Sequence, residues 1–342
     1  MPRSTRRNFL LTGLSAAGSI VGAAACRDLP SAQQSTAPVP DAPAAQPASA
    51  SAESAQSAAL AAMPERVLGR TNISLPLLGL GGSASPLSRP GQEAEATAII
   101  RRALELGVRY FDTAANYGPS EEFLGRVLPP HRSEVFIATK TGKRDRNGAW
   151  QELEQSLERL QTDHIDLWQF HGLTYDWDLD TILGDQGAVR AAEEAKAQGL
   201  VRHIGVTGHH NPDIIVKAIE RYPFDTALVP INAADKHTGK PFITTVLPVA
   251  LQQNVGVIAM KVPAYGRLFK PGVLTGMAEA MGYALSQQGV HTCIIAAETI
   301  ANLEENVAVA QGFQPLEATA LADMEQRTAA VWQENSFFRA WA

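Results

Sequence analysis

Val108-Arg-Tyr-Phe-Asp-Thr113, Val135-Phe-Ile-Ala-Thr-Lys140 and Ile165-Asp-Leu-Trp-Gln-Phe-His171 are short apolar runs, each ending in polar or charged side chains. Runs of this length and composition read as strands covered on both faces, as in a parallel sheet. Helical patterns lie between them. In residues 93–106, Ala96, Ile99, Ile100 and Ala103 share one face, and Gly107 follows as a left-handed cap. A helix with Trp150, Leu153, Leu157 and Leu160 on one stripe separates the second run from the third.

The alternation continues outward in both directions. Residues 66–75 read as a hairpin, with Gly69 and Asn72 bracketing a polar turn, and residues 77–81 as the first strand of the repeat. Past His171 come a helix at 187–198 closed by Gly199, a strand at 201–207, and a helix with Asn211 as N-cap and Pro212 at its first position. Strands at 226–229, 255–260 and 292–295 complete the count. Eight strand–helix units in strict alternation predict a closed (β/α)8 TIM barrel with an N-terminal β-hairpin, rather than an open doubly wound sheet. Gly79-Leu-Gly-Gly82 lacks the following helix that would make it a dinucleotide fingerprint.

In such a barrel, side chains at the C-terminal ends of the strands converge on one mouth. Asp112, Lys140 and His171 stand at strand ends, and Tyr117 lies in the loop that follows Asp112. A tyrosine beside a lysine, an aspartate and a histidine is a device for delivering a proton, so the chain reads as an enzyme. Taken singly, Asp112 reads equally well as a strand cap and Lys140 as a snorkelling surface lysine. His209, His210 and His237 also follow strands. The H-x-H pair and late aspartate of a barrel metallohydrolase are missing, so no metal is expected. Trp150, Trp177, Phe337 and Phe338 are candidates for a substrate wall.

The ends of the chain read differently. Thr5-Arg-Arg-Asn-Phe-Leu10 matches a twin-arginine export signal, and a weakly apolar stretch fills residues 9–25. Ala23-Ala-Ala25 before Cys26 suits a signal peptidase, and Cys26 itself resembles the acceptor of a lipoprotein box. Residues 1–25 are therefore expected to be a signal peptide, leaving a periplasmic protein or one held to a membrane by lipid on Cys26. Residues 26–63 form an Ala/Ser/Pro-rich linker, too poor in bulky side chains to offset its ordering entropy. It would reach about 30 Å as a flexible tether. The barrel and a C-terminal helical tail occupy residues 64–342. A net charge of −6 gives no electrostatic reason for a nucleic-acid partner. Cys293 lies in an apolar strand and reads as a small buried hydrophobe.

The arrangement resembles the aldo-keto reductase family over about residues 65–312. The resemblance is carried by Asp112-x4-Tyr117-Gly118, Ile137-Ala-Thr-Lys140, Gln169-Phe-His171, the hairpin Leu68-Gly-Arg-Thr71, Ile204-Gly-Val-Thr207 and Leu303-Glu-Glu-Asn306. It implies an NAD(P)-dependent oxidoreductase interconverting a small-molecule carbonyl and alcohol, and a hairpin that plugs the barrel floor. Tyr117 would be the proton donor and His171 would orient the carbonyl. Lys140, held by Asp112, would bring down a phenol whose free pKa is about 10. Cofactor contacts are expected at Gly82, Thr207, Asn232, Met260, Lys261, Ala296, Glu305 and Asn306. Several depart from the family pattern. Thr207-Gly208 replace Ser-Asn, Leu228 replaces a glutamine, and Met260 replaces a stacking aromatic. Ala296 and Asn302 stand where Lys and Arg grip a 2′-phosphate, which leans toward NAD(H). The alternative of another class is a low-turnover, nicotinamide-binding sensor or accessory protein built on the same fold.

Overall fold

A computed structural model describes residues 62–340; the signal segment, Cys26 and nearly all of the expected linker lie outside the described residues. Eight parallel strands close on themselves: β3 (Leu78–Gly81), β4 (Tyr110–Asp112), β5 (Phe136–Thr141), β6 (Ile165–Phe170), β7 (Val201–Thr207), β8 (Thr226–Pro230), β9 (Gly256–Met260) and β10 (Val290–Ile295). Strand β10 pairs with β3 to complete the ring. A two-stranded antiparallel ribbon, β1 (Glu65–Val67) and β2 (Ser74–Pro76), precedes it.

The ribbon closes the floor. Its turn drives Leu68, fully buried, into an inner cluster with Tyr110, Phe136, Leu167, Leu228 and Ile258. Gly69 has φ +50°, and a Cβ there would stand 2.3 Å from the Gly256 nitrogen, so only glycine lets the turn press against β9. The Arg70 amide donates to the Asn254 carbonyl at 2.8 Å and fastens the plug.

Helices cover the outside: α1 (Glu93–Glu105), α2 (Ser120–Gly125), α3 (Arg146–Leu160), α4 (Asp176–Leu183), α5 (Ala188–Ala197), α6 (Pro212–Arg221), α7 (Phe242–Thr245), α8 (Leu247–Gln252), α9 (Met277–Leu285) and α10 (Ile300–Gln311). All four residues of the expected α1 face are buried. The Asn211 side chain accepts from the Asp213 amide at 3.0 Å, and α6 begins at Pro212 as expected. Helix α4 was not expected. Its acidic residues hide the apolar stripe, and its start is held by Asp178, which accepts from the Thr174 and Tyr175 amides. Strand β5 runs one residue past Lys140. The tail, α11 (Ala318–Thr328) and α12 (Trp332–Asn335), ends in a 3-10 turn at Phe337–Ala340.

Candidate active site

Strand alternation puts residues i and i+2 on the same face, so each inward position at the floor has a partner two residues on, at the mouth. Tyr110 and Asp112 are such a pair, as are Ala138 and Lys140. Register does the rest: Asp112 lies beside Ala138, and Lys140 beside Gln169. The Lys140 ammonium donates to Asp112 Oδ1 and to the Thr113 carbonyl at 2.7 Å. Both side chains are 1% exposed. Asp112 Oδ2 accepts from Gln169 Nε2 at 3.1 Å and from the Tyr110 hydroxyl at 3.3 Å. Gln169 Oε1 is buried with no hydrogen-bond partner.

Tyr117 and His171 meet above this pair. The phenol oxygen is 3.4 Å from His171 Nε2, and the rings meet edge to face at 5.5 Å. Lys140 Nζ sits 5.0 Å from the centre of the Tyr117 ring. The four expected residues are thus brought together, but the coupling between two of them differs from the expectation. Lys140 is turned toward Asp112, and the Tyr117 phenol is pushed up by burial and by the charge of Asp112 rather than brought down. Burial pushes Lys140 down while Asp112 opposes it. Burial, then the positive charge of Lys140, holds His171 down to about 3, so it is a neutral imidazole at ordinary pH.

These groups open on a cavity of about 250 Å3, lined also by Ser83, Thr207, His209, Leu228, Met260, Lys261 and Tyr265. Sequence reasoning missed Tyr110, Gln169 and Tyr265. The first two were findable, since each sits two residues before an expected site residue on its strand. Of the expected cofactor contacts, Thr207, Met260 and Lys261 line the cavity. The Gly82 amide donates to the Asp112 carbonyl at 2.7 Å, and a Cβ there would stand 2.3 Å from Ser120 Oγ, so tight packing against α2 accounts for that glycine. Asn232 is buried and uses its amide within the fold, donating to the Lys261 carbonyl and accepting from the Asp235 amide. Ala296 follows β10, and Glu305 (exposed) and Asn306 (buried) lie in α10. Of the four wall candidates, Phe337 reaches the mouth, 5.5 Å from the Tyr265 ring. Phe338 is buried, Trp177 is exposed and stacks on Tyr175, and Trp150 lines a shallow hollow on the outer surface with Arg146 and Glu194. Among the described residues no group of three or more His, Cys, Asp or Glu could hold a metal ion.

The residues present fit a nicotinamide. Leu228 and Met260 offer apolar surface to a flat ring. Thr207 Oγ accepts from the Gly172 amide at 2.8 Å and keeps its own proton to donate to a carboxamide.

The sequence profile of the aldo/keto reductase family matches residues 77–278, the span that holds all four of these groups. The chain belongs to that family. With it, the chain belongs to the NAD(P)-dependent oxidoreductases. The L-galactose dehydrogenase of Arabidopsis thaliana is 28% identical over 290 residues, covering 73% of this chain and 89% of the plant protein. A methylglyoxal reductase of Yersinia pestis is 35% identical over 167 residues, covering 48% of this chain and 54% of that one. Among solved structures, an aldo-keto reductase from Bacillus halodurans in its holo form superposes with a TM-score of 0.67 at 26% identity, over 80% of this chain and 99% of that one. The hairpin floor and the eight-stranded ring are therefore those of an aldo-keto reductase.

Proposed function

We propose that this reductase interconverts the carbonyl of a small molecule and the corresponding alcohol, with Tyr117 as the proton donor. The observation that carries the reading is the convergence of the Tyr117 hydroxyl and His171 Nε2, 3.4 Å apart, at the open end of the barrel. A bound nicotinamide supplies the hydride. The chain's own groups handle the oxygen. In its Nε2–H tautomer, neutral His171 donates a hydrogen bond to the carbonyl oxygen, and Tyr117 gives that oxygen its proton as negative charge develops there. In the reverse direction the phenolate recovers the proton from the alcohol. The Lys140–Asp112 pair keeps a fixed, internally matched charge under the phenol. The relatives named for a sugar and for methylglyoxal support a compact, polar carbonyl substrate.

Tyr117→Phe removes one oxygen and leaves the ring packed against His171. It is expected to lower kcat by about 10²–10⁴-fold on an aldehyde panel, with nucleotide affinity measured by fluorescence nearly unchanged. Equal rates for parent and variant would overturn the assignment.

Two further readings complete the proposal. NADH serves at least as well as NADPH, because Ala296 and Asn302 offer no cation to a 2′-phosphate, forgoing charge-assisted bonds of about 1.5–3 kcal/mol each. The enzyme works outside the cytoplasm, exported on the signal at Thr5-Arg-Arg-Asn-Phe-Leu10 and retained by lipid on Cys26 or released.

A further inference from the structure

The loop between β5 and α3 sends one arginine to the strand exit that carries His171. The loop's own backbone is fixed against the segment leading into α5. The Arg144 carbonyl accepts from the Ala188 amide at 2.8 Å, and the Arg146 amide donates to the Gln186 carbonyl at 2.9 Å. From that support Arg144 Nη2 donates to the His171 carbonyl at 2.9 Å and to the Gly172 carbonyl at 3.3 Å. Arg144 Nε donates to Asp178 Oδ1 at 2.9 Å, in an ion pair whose carboxylate is 5% exposed. The other oxygen, Asp178 Oδ2, accepts from the Thr174 and Tyr175 amides at 3.0 and 3.2 Å. A planar guanidinium serves carboxylate and carbonyls from neighbouring nitrogens in one fixed geometry. Residues 171–175 are thereby tied to a single side chain.

The peptide that joins His171 to Gly172 is held from both sides. Its oxygen accepts from Arg144, and its N–H donates to Thr207 Oγ1 at 2.8 Å. A peptide unit is planar, so fixing the oxygen also fixes the direction of the N–H. The other side of His171 is fixed as well, since its amide donates to the Thr141 carbonyl at 2.9 Å. His171 and Thr207 both line the cavity, and Arg144 acts on each from the backbone side. Because Thr207 accepts the Gly172 amide, its own proton is left to donate to a nicotinamide carboxamide.

We propose that Arg144 is a positioning residue for carbonyl reduction. Through one peptide plane it aims the His171 imidazole at the substrate carbonyl and the Thr207 hydroxyl at the carboxamide of the cofactor. The proposal rests on the reading of His171 as the group that orients the carbonyl. Arg144 sets the relation between hydride donor and acceptor and takes no part in the proton transfer.

Two double-mutant cycles test this, one read by turnover and one by nucleotide binding. Arg144→Met is expected to lower kcat on an aldehyde panel about 10–10²-fold, the cost of a misplaced catalytic group. Arg144→Lys keeps the charge beside Asp178 but not the fork, and should recover part of the loss. In a His171→Ala background, Arg144→Met should cost no more than about twofold further, because the ring that it aims is gone. NADH affinity, followed by nicotinamide fluorescence, should fall in Arg144→Met. It should fall no further when Arg144→Met is added to Thr207→Val. A residue that only stabilises the fold would give independent losses in both cycles. Such independent losses overturn the proposal, and so does an Arg144→Met variant within about twofold of the parent kcat. Where Arg144→Met does not fold, Arg144→Lys takes its place in both cycles. His171→Ala with the parent's kcat overturns the carbonyl reading instead, and the nucleotide cycle then decides Arg144 alone.

Discussion

Replacing Asp112 by asparagine keeps the shape of the side chain and removes the charge that answers Lys140. The pair is buried, each partner 1% exposed; besides Asp112 the ammonium donates to the Thr113 carbonyl, and the Glu121 carboxylate gives its charge a weaker, more distant support. Breaking a buried ion pair from one side costs about 3–5 kcal/mol. The lysine has one escape, which is to fold without its proton. Shedding it from an unfolded pKa of about 10.4 near neutral pH costs about 1.4 kcal/mol per unit, roughly 4.6 kcal/mol in all, and that caps the loss. The cap moves with pH. In the variant the folded pKa of Lys140 lies below the unfolded value, so the unfolded chain binds the extra proton and the variant regains stability as pH rises toward about 10.4. Near pH 9 the penalty should fall to about 2 kcal/mol. Urea unfolding followed by tryptophan emission, with Trp168 buried in β6, measures this at both pH values. Adding Lys140→Met to Asp112→Asn should recover most of the loss. A single variant within about 1 kcal/mol of the parent, or a penalty that does not shrink with pH, would refute the view that Lys140 is a buried cation dependent on Asp112.

Cofactor choice and export are checked separately. Titration of nicotinamide fluorescence should show NADH binding at least as tightly as NADPH, and a large NADPH preference would mean that another cation has taken the 2′-phosphate. Fractionation of cells producing the full chain should place it outside the cytoplasm, carrying nucleotide released on denaturation. Replacement of Arg6 and Arg7 by lysine should leave it inside, and indifference to that change would sink the export reading.

Much of the site could be read from local pattern. A strand shows itself by four to six apolar residues and a helix by its stripe, and both signals lie within one short window. Asp112, Lys140 and His171 are legible because the ends of strands are legible, and Tyr117 because it follows one of them closely. The cofactor set was less legible. Gly82 and Asn232 are expected cofactor contacts, and the fold gives each a further task that the sequence did not show: Gly82 packs against Ser120 and Asn232 holds the Lys261 loop. Both demands come from residues distant in the chain, and no window contains them.

The sequence by itself determined the ring of eight strands, the N-terminal hairpin and the residues that crowd the mouth, because backbone periodicity and turn chemistry are local properties; the hairpin's place as a floor plug was implied by the family resemblance. Tertiary structure alone decided how those residues share charge. Whether Lys140 answers Tyr117 or Asp112 depends on a few ångströms of side-chain reach across two strands, and on how completely water is excluded there. The same is true of Lys261, whose place beside Tyr265 follows from three left-handed residues and a buried asparagine 29 positions away. Electrostatics in a buried site depends on distance and solvent exclusion, and both exist only once the chain has closed on itself.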